Sequence, residues 1–362
     1  MFRKLVLLLL FLSLFSVDIV YAQTSKTQIY KVIDPSGNIH SLNVITSETL
    51  YNAYKNTKNP STLDGFATPL TVKPIADSLR TLFTNDEVFV NQVLKWNRQH
   101  IYEVTDACYP AETLYTGIGD CDTFSYLVAS VLIAGGVNEL VLITYELKPN
   151  EYHMNLGVYL STAPVNYGSK GLYWVSYSNK SYYIAECTDQ TKDPTQDSYN
   201  LGNLPYILKD IQPKEVVPIV YQQDALGQVQ SFYSNTATTT VSVGTTDTAL
   251  TYLSPIIING DIGINLTGET VSLYYSHNGL KWRLIDETTT VNGEYTYTWF
   301  IMKSYSITEW LIPEKLCIKT YWSGNIDYQG GESGLSGTFV LPFWLIMVTL
   351  LIVVVVWQRK KE

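Results

Sequence analysis

Residues 119–136 read GDCDTFSYLVASVLIAGG. Phe124, Leu127, Val128, Val131 and Leu132 recur at helical spacing and form one apolar stripe. Asp120 is of the type that caps a helix start, and Gly135 and Gly136 are of the type that ends one. Cys121 therefore opens a buried helix. Unsatisfied N–H groups and the positive end of the dipole meet at such a position, and both favour thiolate over thiol. Two readings stand for this cysteine: a nucleophile, or half of a disulfide.

A cysteine nucleophile needs a base, and the base needs a group that orients it. The chain has 4 histidines. His40 lies in the N-terminal segment, His100 ends a helix, and His277 lies at a hairpin of the C-terminal part. His153 instead opens the strand-like run HMNLGVYL, and YYIAECTD follows it further along. Tyr182, Ile184, Glu186 and Thr188 would share one face of that second strand. Antiparallel pairing of the two strands would bring Glu186 to the far nitrogen of His153. Asp189 is the rival acid. Asp120 and Asp122 read as capping residues, since no His/Cys cluster surrounds them for a metal.

Outward from this centre, the chain divides by texture. Residues 23–70 are weakly patterned, with short strands expected around Pro35–Asn38. Helices are expected from Ile75 and again from Asn85, an N-cap type. Strands are expected over Glu139–Leu147, His153–Leu160, Leu172–Tyr177 and Tyr182–Thr188. Helices followed by a strand meander imply an α+β domain over 71–216. A connector over 217–236 leads to a β-sandwich over 237–333. Its hairpin signals are Asn259-Gly260, Asn278-Gly279 and Asn292-Gly293, each suited to a type I′ turn.

GDC, then His at a strand start, then ECT resembles the transglutaminase-like superfamily of papain-type cysteine enzymes. VFVNQVLKWNRQHIYEV and PAETLYTGIGDCDTFSYLVASVLIAGGV resemble its archaeal and bacterial members. The resemblance covers about residues 75–210. It implies Cys121 as nucleophile, His153 as general base and acid, and Glu186 as the orienting carboxylate, where the family carries Asp. It also implies an oxyanion hole made by the Cys121 N–H and a second donor, for which Tyr115 is a candidate. The implied function is amide-bond chemistry on proteins or peptides through a Cys thioester, with hydrolysis favoured over cross-linking. No cofactor and no metal are implied. VSLYYSHNGLKW and CIKTYWSGN similarly resemble immunoglobulin-like modules of prokaryotic surface proteins. The competing class is a surface scaffold that keeps the fold without activity, and a Cys121 disulfide would mark it. The 4 cysteines allow three pairings. With Cys121 as nucleophile, Cys108 and Cys187 are the candidate pair, and Cys317 is a thiol of the sandwich.

The two ends set the expected location. Residues 1–22 read as a cleaved secretory leader: Arg3 and Lys4, an apolar run, then a small residue at Ala22. Residues 338–357 read as a membrane-spanning helix, about 30 Å long at 1.5 Å per residue. Arg359, Lys360 and Lys361 would hold the tail 358–362 in the cytoplasm. The expectation is a single-pass protein of the cell membrane with its bulk outside. A net charge of −9 disfavours a nucleic-acid partner.

Overall fold

The structure, a computed structural model, describes residues 24–57, 60, 63–188, 199–234, 237–245, 248–249, 255–277, 279–300, 314–325 and 327–340. It begins with an antiparallel hairpin of β1 (Ser25–Ile33) and β2 (Ile39–Ser47). Three helices follow: α1 (Glu48–Lys55), α2 (Pro69–Arg80) and α3 (Asp86–Asn97). Asn85 caps α3 by accepting the Val88 N–H at 3.1 Å. Then come β3 (Ile101–Tyr102), α4 (Pro110–Thr116), β4 (Ile118–Gly119) and α5 (Cys121–Ala134). β3 and β4 pair in parallel, so the chain just before α5 is tied to the segment that leaves α3.

The next five strands are β5 (Leu140–Lys148), β6 (Glu151–Tyr159), β7 (Trp174–Tyr177), β8 (Lys180–Ala185) and β9 (Glu215–Pro218). They form one antiparallel sheet in the order β7-β8-β6-β5-β9. α5 is buried almost all round, from Thr123 to Ile133. Its apolar side chains share one core with Leu140, Leu142, Leu156 and Val158 of the sheet and Phe89, Val93 and Trp96 of α3. At about 25 cal/mol per Å² of apolar area, such a fully buried helix is held by packing rather than by its own propensity.

The weakly patterned N-terminal segment belongs to this same core. Tyr30, Val32, Leu42 and Val44 of the hairpin are buried in it. β10 (Gln230–Tyr233) returns from far along the chain to pair with β2, Gln230 opposite Ile45.

The remaining strands are β11 (Ala237–Thr238), β12 (Gly244–Thr245), β13 (Thr248–Ala249), β14 (Ile256–Asp261), β15 (Thr270–Ser276), β16 (Arg283–Thr289), β17 (Glu294–Trp299), β18 (Glu314–Gly324), β19 (Tyr328–Glu332) and β20 (Ser336–Val340). One sheet runs β11-β19-β18-β15-β16, with β20 paired to β18 and β13 to β20; the other runs β12-β14-β17. Ile256, Ile258 and Trp299 of the smaller sheet meet Val271, Leu273, Ile318 and Trp322 of the larger in one core. Leu70 of α2 packs against Tyr274, Trp282 and Tyr321, and Lys73 pairs with Glu287 at 2.9 Å.

Three expectations are corrected. Strand outweighs helix, 40% against 23%, so the α+β class with a spanning helix gives way to a mostly β chain with five helices among the described residues. The reason is that the N-terminal segment, expected to hold only short strands, supplies the nine-residue β1 and β2, the connector supplies β10, and the region expected as a sandwich, with the stretch just after it, supplies ten strands. The single-pass anchor is overturned as well: no helix among the described residues is long and apolar enough to cross a membrane. The expected location in the cell membrane goes with it. Thr338 to Val340, expected to open the span, are strand residues paired to β18. The rest of that stretch, like the expected leader, lies outside the described residues. Finally, Asn259-Gly260 is no turn. Both residues continue β14, and Gly260 lies opposite Tyr295.

Candidate active site

The start of α5 is fixed from two sides. Asp120 N–H donates to Thr123 Oγ1 at 2.7 Å, and Asp120 Oδ1 accepts from the Thr123 N–H at 3.4 Å. Asp120 Oδ2 also accepts the Thr105 N–H at 3.0 Å, which ties the loop after β3 to the cap. Gly119 must lack a side chain: a Cβ there would lie 2.5 Å from Thr123 Oγ1 and 2.6 Å from Phe124 Cε1. Gly119→Ala is therefore expected to displace the cap, cost about 1–3 kcal/mol by overpacking and slow Cys121 alkylation; urea unfolding and labelling rates check both.

His153 lies on β6 and Glu186 one residue past β8, and these strands are antiparallel neighbours with Leu156 opposite Ala185. His153 Nε2 stands 3.2 Å from Glu186 Oε2. Cys121 lies within electrostatic reach of the His153 ring. Burial alone would push His153 down; the influence of Cys121 and Glu186 outweighs it and lifts the imidazole to about 10. Burial would likewise raise Glu186, but the His153 bond and two bonds from Thr188 hold it below its ordinary value. Those Thr188 bonds come from its N–H, at 2.7 Å, and its hydroxyl, both to Oε1. Cys121, His153 and Glu186, far apart in sequence, are thus brought within interacting range. Such an arrangement can hold a nucleophile, carry its proton and balance the charge on the carrier.

The alternatives fall elsewhere. Tyr115 stacks on Tyr51, ring centroids 4.4 Å apart, and is not at this centre. The tyrosine that is there is Tyr102 on β3: burial, then the charges of Cys121, Asp120 and Glu186, raise its pKa. Nothing local in the sequence marks Tyr102, because the β3–β4 pairing brings it in. Asn155 was also missed; it lies two residues from His153, and the period of two was the available signal. Burial and Asp120 push Asp122 up to about 8. Asp189 lies outside the described residues. All 4 cysteines are free thiols, so neither the Cys108–Cys187 pair nor a Cys121 disulfide is formed. Among the described residues, no group of three or more His, Cys, Asp or Glu side chains is arranged to hold a metal ion.

A cleft of about 1340 Å³ opens away from this centre, between α2 and β16. Its charges are largely spent on each other: Lys73 with Asp77 and Glu287, each at 2.9 Å, Arg283 with Asp224 at 2.6 Å, and Arg80 with Asp86 at 2.7 Å.

No family model matches the chain, and no curated protein matches it. Among solved structures, red sea bream transglutaminase aligns with 87% of this chain and 61% of its own, at 9% identity and a TM-score of 0.22. The chain thus spans less than two thirds of that enzyme's length. The likeness is a weak one of fold, and neither the immunoglobulin-like nor the archaeal kinship is supported by it.

Proposed function

We propose that this centre performs acyl transfer by a cysteine nucleophile of the transglutaminase-like kind, acting on amide bonds of a protein or peptide. The observation that carries the reading is His153 paired with the buried Glu186 carboxylate at 3.2 Å, with Cys121 within electrostatic reach of its ring. The Cys121 sulfur attacks the amide carbonyl carbon, and a C–S bond forms. His153, as imidazolium, gives its proton to the departing nitrogen as the C–N bond breaks. The result is a thioester on Cys121 and a free amine. Water then gives a proton to His153 and adds to the thioester carbonyl, releasing a carboxylic acid and regenerating the thiolate. A primary amine in place of water yields a new amide instead. Water is the default acceptor in a site whose nucleophile is only half-buried.

The deciding experiment uses a glutamine-containing peptide with and without a fluorescent primary amine. Ammonia release without amine incorporation is expected for hydrolysis, incorporation for cross-linking, and Cys121→Ala should abolish either. Equal release from the wild type and Cys121→Ala would sink the reading.

A further inference from the structure

Glu186 carries its charge where water cannot help. It is 2% exposed, and a carboxylate removed from water stays ionised only when several donors face it. Thr188 supplies two donors to Oε1, and His153 Nε2 faces Oε2. One further polar group reaches Oε2: the amide of Asn155, itself 0% exposed. Its end atom lies 3.0 Å from Glu186 Oε2, 3.0 Å from Met154 O and 2.9 Å from His153 Nε2. Met154 O and Glu186 Oε2 only accept, so the atom is assigned as Nδ2, which stands beside the His153 Nε2–H as a second donor to Oε2. The two hydrogens of Nδ2 then go to Met154 O and Glu186 Oε2.

We propose that Asn155 is a positioning residue of this site. Its amide N–H, donated to Glu186 Oε2, keeps the carboxylate charged and thereby sets how firmly His153 holds its proton. Asn155 acts through Glu186 and is not itself a reacting group. The inference rests on the acyl-transfer reading above. Without this donor the buried charge is harder to sustain, and the imidazolium beside it weakens. A thiolate–imidazolium pair then exists over a narrower pH range: its acid limb moves up and its upper limb moves down.

The other titratable groups around His153 and Glu186 are Cys121 and Asp122 on α5, Asp120 at its cap, Tyr102 on β3, Tyr145 on β5, Cys187 next to Glu186 in the chain, and Arg98 at the end of α3. Burial raises Tyr102, Tyr145 and Cys187. Asp122, pushed up to about 8, titrates within the range but is common to wild type and variant, so their difference isolates Asn155.

The test is the pH profile of Cys121 alkylation by iodoacetamide in the full chain, from about pH 4 to about pH 10, for the wild type, Asn155→Leu and His153→Ala. The His153 ring is also titrated by NMR with Cys121 already alkylated. Asn155→Leu has the same shape and no donor. It is expected to move the acid limb up by about one unit, an approximately tenfold slower reaction near pH 5, and to lower the His153 titration similarly. Superimposable profiles and an unchanged His153 titration would overturn the inference while leaving acyl transfer standing. A wild-type profile that His153→Ala does not alter overturns the acyl-transfer reading, and the inference with it. Should near-UV circular dichroism show that the Leu variant is unfolded, Asn155→Ser is read the same way.

Discussion

His153→Ala is expected to slow iodoacetamide alkylation of Cys121 at about pH 6 by roughly a hundredfold, and to slow turnover of an amide substrate on the order of 10²–10⁴-fold. Thiolate is the reactive form, and the imidazolium is the charge that supports it. His153 holds its proton up to about 10 because the influence of Cys121 and Glu186 outweighs the effect of burial. The sign follows. Below that pH the wild type keeps a positive partner beside the sulfur and the alanine variant does not, so the rates differ widely. Above it the partner is neutral in the wild type too, and the two rates converge. Rates that differ equally at about pH 6 and about pH 11 would mean that the substitution acts through packing rather than charge.

Glu186→Gln is expected to lower folding stability by about 3 kcal/mol, the scale on which removing one partner leaves a buried ion uncompensated. The loss depends on pH in a fixed way. His153 is raised in the folded chain, so its contribution is complete below its ordinary 6.5 and is lost as pH rises through about 10. Glu186 is lowered, so its contribution is complete above its ordinary 4.5 and is lost as pH falls through the depressed folded value. The difference between wild type and variant should therefore be greatest between those two ordinary values and shrink on either side. Denaturant melts at several pH values measure it, and a difference flat from acid to alkali would rule out the ion pair as its source.

The chain discloses this centre unevenly. The Cys121 helix is legible because cap, stripe and terminator sit side by side in sequence. His153 and Glu186 are legible as members of neighbouring strands whose order fits a resemblance. Tyr102 is not, since a two-residue parallel bridge positions it and leaves no periodic trace. The N-terminal hairpin is legible only as short strands around Pro35–Asn38, and its full length is not, for a different reason. Ile29 and Ile39 are 65% and 63% exposed, which blurs the alternation that Tyr30, Val32, Leu42 and Val44 would otherwise display. At Asn259-Gly260 a strong local turn signal yields to pairing with β17, a case of tertiary context overriding propensity.

The pairing of β2 with β10 has a consequence for how the chain is made. Gln230 sits opposite Ile45, so a ribosome must add well over a hundred residues after β2 emerges before its partner exists. Throughout that interval β2 has one bare edge, and bare edges recruit strands from other molecules. Late closure of so long a loop also slows folding. A nascent chain released or cleaved before β10 emerges would expose that edge permanently. Its fate would be association with other strands or capture by a chaperone, even though Cys121, His153 and Glu186 had already been synthesised.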